Sequence, residues 1–193
     1  MTEELNIGGL IKQSINRHRR AINGMCSLVD ELETMAAMLC QAIKEDRWIY
    51  TCGNGGSAAD AQHIAAELVG RFKKKRPAIA AIALTTDTSV LTSITNDFGP
   101  TSMFSRQVEA FVRANDVLWA LSTSGKSHNV LEAMRYAKAV GADSIGFTGP
   151  NPPEEFTELC TLVFKAPGED TAAIQECHQV AYHAIIGAVE ELL

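Results

Sequence analysis

The sequence predicts an α/β fold: a five-stranded parallel sheet flanked by helices on both faces, preceded by an N-terminal helical arm. Three observations carry this. Short apolar runs alternate with helical stretches over residues 47–193. Two of those runs end in Gly-rich or Ser-rich turns that open directly into helices. Residues 5–43 show helical periodicity alone, with no strand before them.

The arm, residues 1–46, carries its apolar stripe on Ile11, Ile15, Ile22, Cys26, Val29, Leu32, Ala36, Leu39 and Ile43. Gly24 is a candidate break into two helices. An arm of this length packs on a partner subunit or caps its own domain. Its apolar surface exceeds what one compact sheet domain needs, and left exposed it would be an association liability. A homo-oligomer is therefore expected.

The domain proper spans residues 47–193. Trp48–Cys52 reads as a strand, Gly53–Gly56 as a turn and Ser57–Val69 as a helix. Ala80–Leu84 is the next strand, followed by a helix near Ser89–Thr95. Asp116–Leu121 is a strand, 122–127 a loop and Ser127–Val140 a helix. Ser144–Phe147 and Thr161–Phe164 complete the sheet, and Thr171–Leu193 closes the chain as a long helix. Ligands in such sheets bind at the carboxyl ends of the strands, near the switch in strand order.

Composition narrows the function classes. The chain has 193 residues, 46% of them hydrophobic, enough for one domain with a sizeable core. A net charge of −6 gives no global footprint for nucleic acid. No apolar run approaches the roughly 18–20 residues of a membrane helix, and no secretory h-region is read near the start. The five cysteines are widely spaced and without a C-x-x-C pair, as expected of reduced cytoplasmic thiols buried as small hydrophobes. The run Lys73–Arg76 reads as a solvated loop; Arg71 is the sharper candidate for reaching a phosphate across a subunit boundary.

Two loops are built for an anion. Cys52-Gly-Asn-Gly-Gly-Ser57 follows a strand and opens a helix, so its backbone can turn tightly and offer unpaired N–H groups. Ser57 could cap that helix or donate its hydroxyl. The dinucleotide fingerprint is absent, because it needs Gly where Ala58 stands. Ser122-Thr-Ser-Gly-Lys-Ser127 occupies the same position after another strand and gathers the hydroxyls of Ser122, Thr123, Ser124 and Ser127. It is not a nucleotide P-loop, which needs Gly at Ala120. Each alone is also a plain capping turn; two at equivalent strand ends point to an anion site.

A polar face adds to this. His63 and Glu67 lie four apart on one helix. Gln175, Gln179 and His183 recur every four residues on the otherwise apolar last helix, with His178 nearby. His63 and Glu67 are either a surface pair or two metal ligands, and His183 is either a satisfied interior histidine or a ligand.

Together these residues resemble the sugar isomerase (SIS) family, and within it the phosphoheptose isomerases. The resemblance runs over nearly the whole chain, on Cys52-Gly-Asn-Gly-Gly-Ser57, His63-x-x-x-Glu67 with Gly70-Arg71, Asn96-Asp-Phe-Gly99, Ser122-Thr-Ser-Gly125 with Ser127, and Ile174-Gln-Glu176 with His183. It implies a three-layer sandwich. It implies isomerisation of sedoheptulose 7-phosphate to D-glycero-D-manno-heptose 7-phosphate, supplying heptose for lipopolysaccharide or another surface glycan. It implies that Asn54, Gly55, Gly56, Ser57, Asn96 and Asp97 touch the sugar phosphate, while Ser122, Thr123, Ser124 and Ser127 hold the phosphate. His63, Glu67, Gln175 and His183 would bind one zinc ion per subunit, with Glu67 and Gln175 also on substrate and Glu67 and His183 as the acid–base pair. It also implies a homotetramer, with no nucleic-acid or membrane partner. Two positions depart from the family's pattern: Ala173 stands where Arg is usual, and Lys126 replaces a usual Asn. A related branch, the non-catalytic scaffolds that bind the bacterial replication initiator, is the alternative; it lacks part of the polar face. Sugar-phosphate-sensing regulators are a third class, but they usually carry a DNA-binding module for which this chain has no room.

Overall fold

The computed structural model describes residues 6–193; Leu5, where the helical stripe was predicted to begin, lies outside the described residues. The arm forms α1 (Ile7–Gly24) and α2 (Val29–Lys44), joined by a short 3-10 turn at Met25–Leu28. The break falls at Gly24, where a Cβ would come within 3.1 Å of the Pro167 ring. The strands are β1 (Ile49–Gly53), β2 (Ala81–Ala83), β3 (Val117–Leu121), β4 (Asp143–Thr148) and β5 (Leu162–Lys165). Between and after them come α3 (Gly56–Val69), α4 (Thr88–Phe98), α5 (Ser102–Phe111), α6 (His128–Val140), α7 (Glu154–Glu158) and α8 (Thr171–Leu192).

The sheet is wholly parallel, in the order β2-β1-β3-β4-β5. The order reverses between β1 and β3, which places the expected crevice at their carboxyl ends. Both strands are buried along their full length, as strands covered on both faces must be. One face packs Ile49, Trp119 and Phe147 against α2, α3 and α8. The other packs Tyr50, Leu118 and Ala120 against α5 and α6. Three layers result.

The two halves of the arm behave differently. Met35, Ala36, Leu39 and Cys40 of α2 are buried in the main core. α1 is held beside α8 by polar contacts, an Arg17–Asp170 ion pair at 3.3 Å and His18 Nδ1 2.6 Å from the Glu176 carboxylate. Its Ile7, Leu10, Ile11, Ile15 and Ile22 stay exposed.

Several details differ from the sequence expectation. Helix α5 was not predicted: Gly99, at φ +84°, ends α4, and Pro100 intervenes before a short amphipathic helix that buries Phe104 and Val108. Helix α7 is only 5 residues long, too short to show a period. β1 and β3 each start one residue late; just before them the Asp116 carboxylate accepts the N–H groups of Trp48 (3.0 Å) and Arg113 (2.8 Å) at the strands' amino ends.

Lys73–Arg76 is not simply a solvated loop. Its lysines are exposed, but the Arg76 guanidinium is buried against Glu190 at 3.0 Å and donates to the Leu68 and Glu67 carbonyls. Glu190 also accepts the backbone N–H groups of Phe72, Lys73 and Lys74. Burial opposes ionisation of that carboxylate, but the three N–H bonds and the Arg76 charge outweigh it and hold its pKa at about 2.

The five cysteines are free; Cys40, Cys52 and Cys177 are buried, Cys160 is partly so and Cys26 is exposed. Among the described residues, no helix is long and apolar enough to cross a membrane.

Candidate active site

The glycine turn sits at the carboxyl end of β1. Gly55 adopts φ +55°, a region that favours glycine, and serves as the N-cap of α3 without any side-chain cap. Ser57 is therefore not the cap; it lies buried inside the first turn. With no side chain covering it, the positive end of α3 is left to a ligand.

The serine loop follows β3, the neighbour of β1. Ser127 is the N-cap residue of α6 but makes no capping bond; its hydroxyl lies 3.0 Å from that of Ser122. Ser124 accepts the Lys126 N–H at 3.1 Å, across Gly125 at φ +67°. The Thr123 carbonyl accepts the Gly149 N–H, which fastens the loop to the end of β4. The hydroxyls are thus not consumed in capping. Asn129, on the first turn of α6, joins the two loops: its carboxamide exchanges two hydrogen bonds with Asn54, both 2.9 Å. No spacing in the sequence singles out Asn129.

The polar residues of α3 and α8 converge. Glu67 Oε1 lies 3.2 Å from His63 Nε2 and 3.3 Å from His183 Nε2. The Glu67 side chain is only 12% exposed, and its Oε2 is buried with no partner among the described residues. Phe72 stacks on the His183 ring, 5.3 Å between centroids and 7° from parallel. His63 and Glu67 are thus not a plain surface pair, nor is His183 a satisfied interior histidine.

Three neighbours were not foreseen as site residues. Tyr182 places its hydroxyl 2.9 Å from His63 Nδ1. Asp60, beside that hydroxyl, has its carboxyl pushed up to about 6 by burial, against the pull of His63 and Tyr182. Phe72 is the third. Asp60 had one signal, its place a helical turn before His63; Tyr182 was hidden in an apolar stretch.

His178 belongs elsewhere. It is fully buried against Phe147 and Phe164, its Nε2 bonded to the Thr148 carbonyl at 3.1 Å. Burial pushes its pKa down to about 4, so the ring is a neutral core group.

Gln175 presses its carboxamide against Gly56, where a Cβ would come within 2.4 Å of Nε2. Along α8 it precedes His183 by about 12 Å of helix rise, which sets it at the glycine-turn end of the paired helices. Asn96 and Asp97 lie exposed at the end of α4 and bond to each other at 2.8 Å.

The donor atoms of His63, Glu67 and His183 all lie within 4.8 Å of one another. Two imidazoles and a carboxylate are a donor set suited to a divalent ion of the zinc class. The unpaired, buried Oε2 of Glu67 fits the same use, since a carboxylate oxygen shut off from water needs a cation or a donor. These three residues could hold a metal ion.

The chain is similar to known proteins along most of its length. The SIS domain family matches residues 16–149. A phosphoheptose isomerase of a Bradyrhizobium strain is 51% identical over 159 residues, 82% of this chain and 80% of that protein. One from Campylobacter concisus is 44% identical over 94% of this chain and 96% of its own length. The solved phosphoheptose isomerase of Neisseria gonorrhoeae superposes with a TM-score of 0.83 at 38% identity, covering 96% of this chain and 97% of that one. That of Francisella tularensis gives 0.87 at 28% identity, over 99% of this chain and all of that one. A sheet that reverses between two anion-type loops, an acid–imidazole cluster on the helix leading from one of them, and full-length relatives of this identity agree: the chain belongs to the SIS domain family and, within it, to the phosphoheptose isomerases.

Proposed function

We propose that the chain interconverts sedoheptulose 7-phosphate and D-glycero-D-manno-heptose 7-phosphate as an aldose–ketose isomerase, supplying heptose for lipopolysaccharide or another surface glycan. The observation that carries this is Glu67, a nearly buried carboxylate between two imidazoles on the helix that opens from the glycine turn. The names of the full-length relatives support it. The scaffold alternative has no such support.

In this reading the serine loop, through Ser122, Thr123, Ser124 and Ser127, holds the phosphate, with Ser57 close by. Asn54, Gly55, Gly56, Asn96, Asp97 and Gln175 touch the sugar. Phosphate binding far from the reacting carbons contributes energy for positioning. A base removes a proton from C1 of the ketose, giving an enediol, and returns a proton to C2; the hydroxyl proton moves from O1 to O2. Glu67 and His183 are the acid–base pair. His63, Glu67 and His183 would hold one zinc ion, which when bound offsets negative charge on substrate oxygen; Gln175, which the resemblance made a fourth ligand, lies apart from them against Gly56, so its role here is on the sugar.

Assembly and location follow the same reading. The exposed isoleucines of α1 fit a homotetramer with residues 1–46 in its interface and residues 47–193 as the sugar-phosphate domain. A cytoplasmic enzyme of sugar-phosphate metabolism with no nucleic-acid or membrane partner completes it. Incubation with sedoheptulose 7-phosphate, followed by NMR of the sugars, tests the activity; no turnover with or without zinc overturns it. Sedimentation of the full chain as a monomer at micromolar concentration overturns the tetramer.

A further inference from the structure

Two side chains with no part in the chemistry above converge on His63 from behind. Tyr182 is fully buried, with its hydroxyl 2.9 Å from His63 Nδ1. Its ring meets those of His63 and His183 nearly edge-on, at centroid distances of 5.4 and 4.6 Å. Beside the hydroxyl stands Asp60, whose Oδ2 is buried with no hydrogen-bond partner among the described residues. On the opposite side of the imidazole, Nε2 lies 3.2 Å from Glu67.

A neutral imidazole has one ring proton to place. While Nε2 faces only the Glu67 carboxylate, the proton belongs on Nε2, and Nδ1 accepts from the tyrosine. A cation held at Nε2 needs a lone pair there, so the proton must sit on Nδ1. The tyrosine oxygen must then accept, and its own proton needs a new acceptor. The Gln179 carboxamide also reaches the hydroxyl, but Asp60, with a buried oxygen that has no partner among the described residues, is the anionic acceptor beside it.

We propose that Tyr182 and Asp60 are positioning residues that let His63 switch its ring proton from Nε2 to Nδ1 when a divalent cation binds, with Tyr182 accepting from Nδ1–H and donating to the Asp60 carboxylate. This rests on the metal reading of His63, Glu67 and His183. A phenol can both donate and accept, and a phenylalanine of the same shape can do neither. Such outer partners of a ligating histidine fix its tautomer and raise its basicity.

The test is calorimetric titration of Zn2+ into the metal-stripped full-length protein, alongside Tyr182→Phe and Asp60→Asn. Long-range 15N NMR of the histidine rings is recorded before and after loading. Each variant is expected to bind roughly 10–100-fold more weakly. In the parent, His63 is expected to carry its proton on Nε2 before loading and on Nδ1 after it. Parent-like affinity in both variants, or a proton still on Nε2 in the loaded parent, overturns the proposal while the metal site stands. Absence of zinc binding by the parent overturns the metal reading and this proposal together. If Tyr182→Phe does not fold, Asp60→Ala joins Asp60→Asn and decides: an asparagine oxygen can still accept from the tyrosine, whereas alanine offers no acceptor, and parent-like affinity in Asp60→Ala overturns the proposal.

Discussion

Asn54 and Asn129 bond to each other twice, carboxamide to carboxamide, across the gap between the two anion-type loops. The pair fixes the spacing of the loops before any ligand arrives. It also occupies the Asn54 side chain, so a sugar phosphate reaching Asn54 meets a group already held in place. Ordering that would otherwise be lost on binding has been carried out in folding.

Glu67→Gln should abolish isomerisation while leaving the fold intact. The amide keeps the shape of the acid but cannot take a proton, and loss of such a step costs about 10²–10⁴-fold in rate. NMR progress curves with sedoheptulose 7-phosphate, with circular dichroism as the control for folding, check this. Turnover at the parent rate would exclude Glu67 as the base.

Ser124→Ala should weaken sugar-phosphate binding more than stability. Ser124 is exposed and its one bond is to the Lys126 N–H, so the folded state loses little. A hydrogen bond to a charged group contributes roughly 1.5–3 kcal/mol. Calorimetric titration with a phosphorylated ligand and thermal melts separate the two effects; unchanged affinity places the anion elsewhere.

Gly56→Ala should raise KM with little effect on the melting temperature. The new methyl would meet the Gln175 carboxamide at 2.4–2.8 Å, and the mobile end of a glutamine can swing away. The stability cost should therefore stay within about 1 kcal/mol, as for most changes that leave the core alone. The cost falls on Gln175, which leaves the glycine turn. Parent-like KM would show that the position of Gln175 does not matter for substrate.

His178 should make the fold acid-sensitive in a defined window. The unfolded chain takes up the imidazole proton below 6.5, and the folded chain only near 4. The unfolded state thus binds more protons between those values. Stability contributed by the neutral ring is whole above pH 6.5 and falls as pH drops toward 4, by roughly 1.4 kcal/mol per unit. Denaturant unfolding at several pH values measures the slope. His178→Gln, which can still donate to the Thr148 carbonyl, should flatten it.

Much of this was legible in the sequence because the signals are local. A strand such as Val117–Leu121 announces itself by a continuous apolar run, and the loops after β1 and β3 by residues whose backbone or hydroxyls serve little else. The i, i+4 spacing of His63 and Glu67 set them on one face without any structure. That His183 meets them was not readable, because it depends on how α3 and α8 lie side by side on one face of the sheet. Tyr182 escaped for a related reason: within a buried helix an aromatic reads as packing, and only its partner's Nδ1 reveals the hydroxyl's use. Asn129 gave no signal at all, since a reciprocal amide pair requires both loops in place.

The Glu190 clamp bears on how the protein meets a protease. Lys73, Lys74 and Lys75 are three consecutive trypsin sites on an exposed segment, where nicking is ordinarily easy. A protease must draw several residues into its cleft in extended form, yet the N–H groups of Phe72, Lys73 and Lys74 are all held by one carboxylate of α8. Cutting there requires local opening, and its rate tracks the population in which Glu190 has let go. Because Phe72 also stacks on the His183 ring, each such opening frees one face of that imidazole, so trypsin sensitivity at these lysines reads out how often His183 loses its aromatic support.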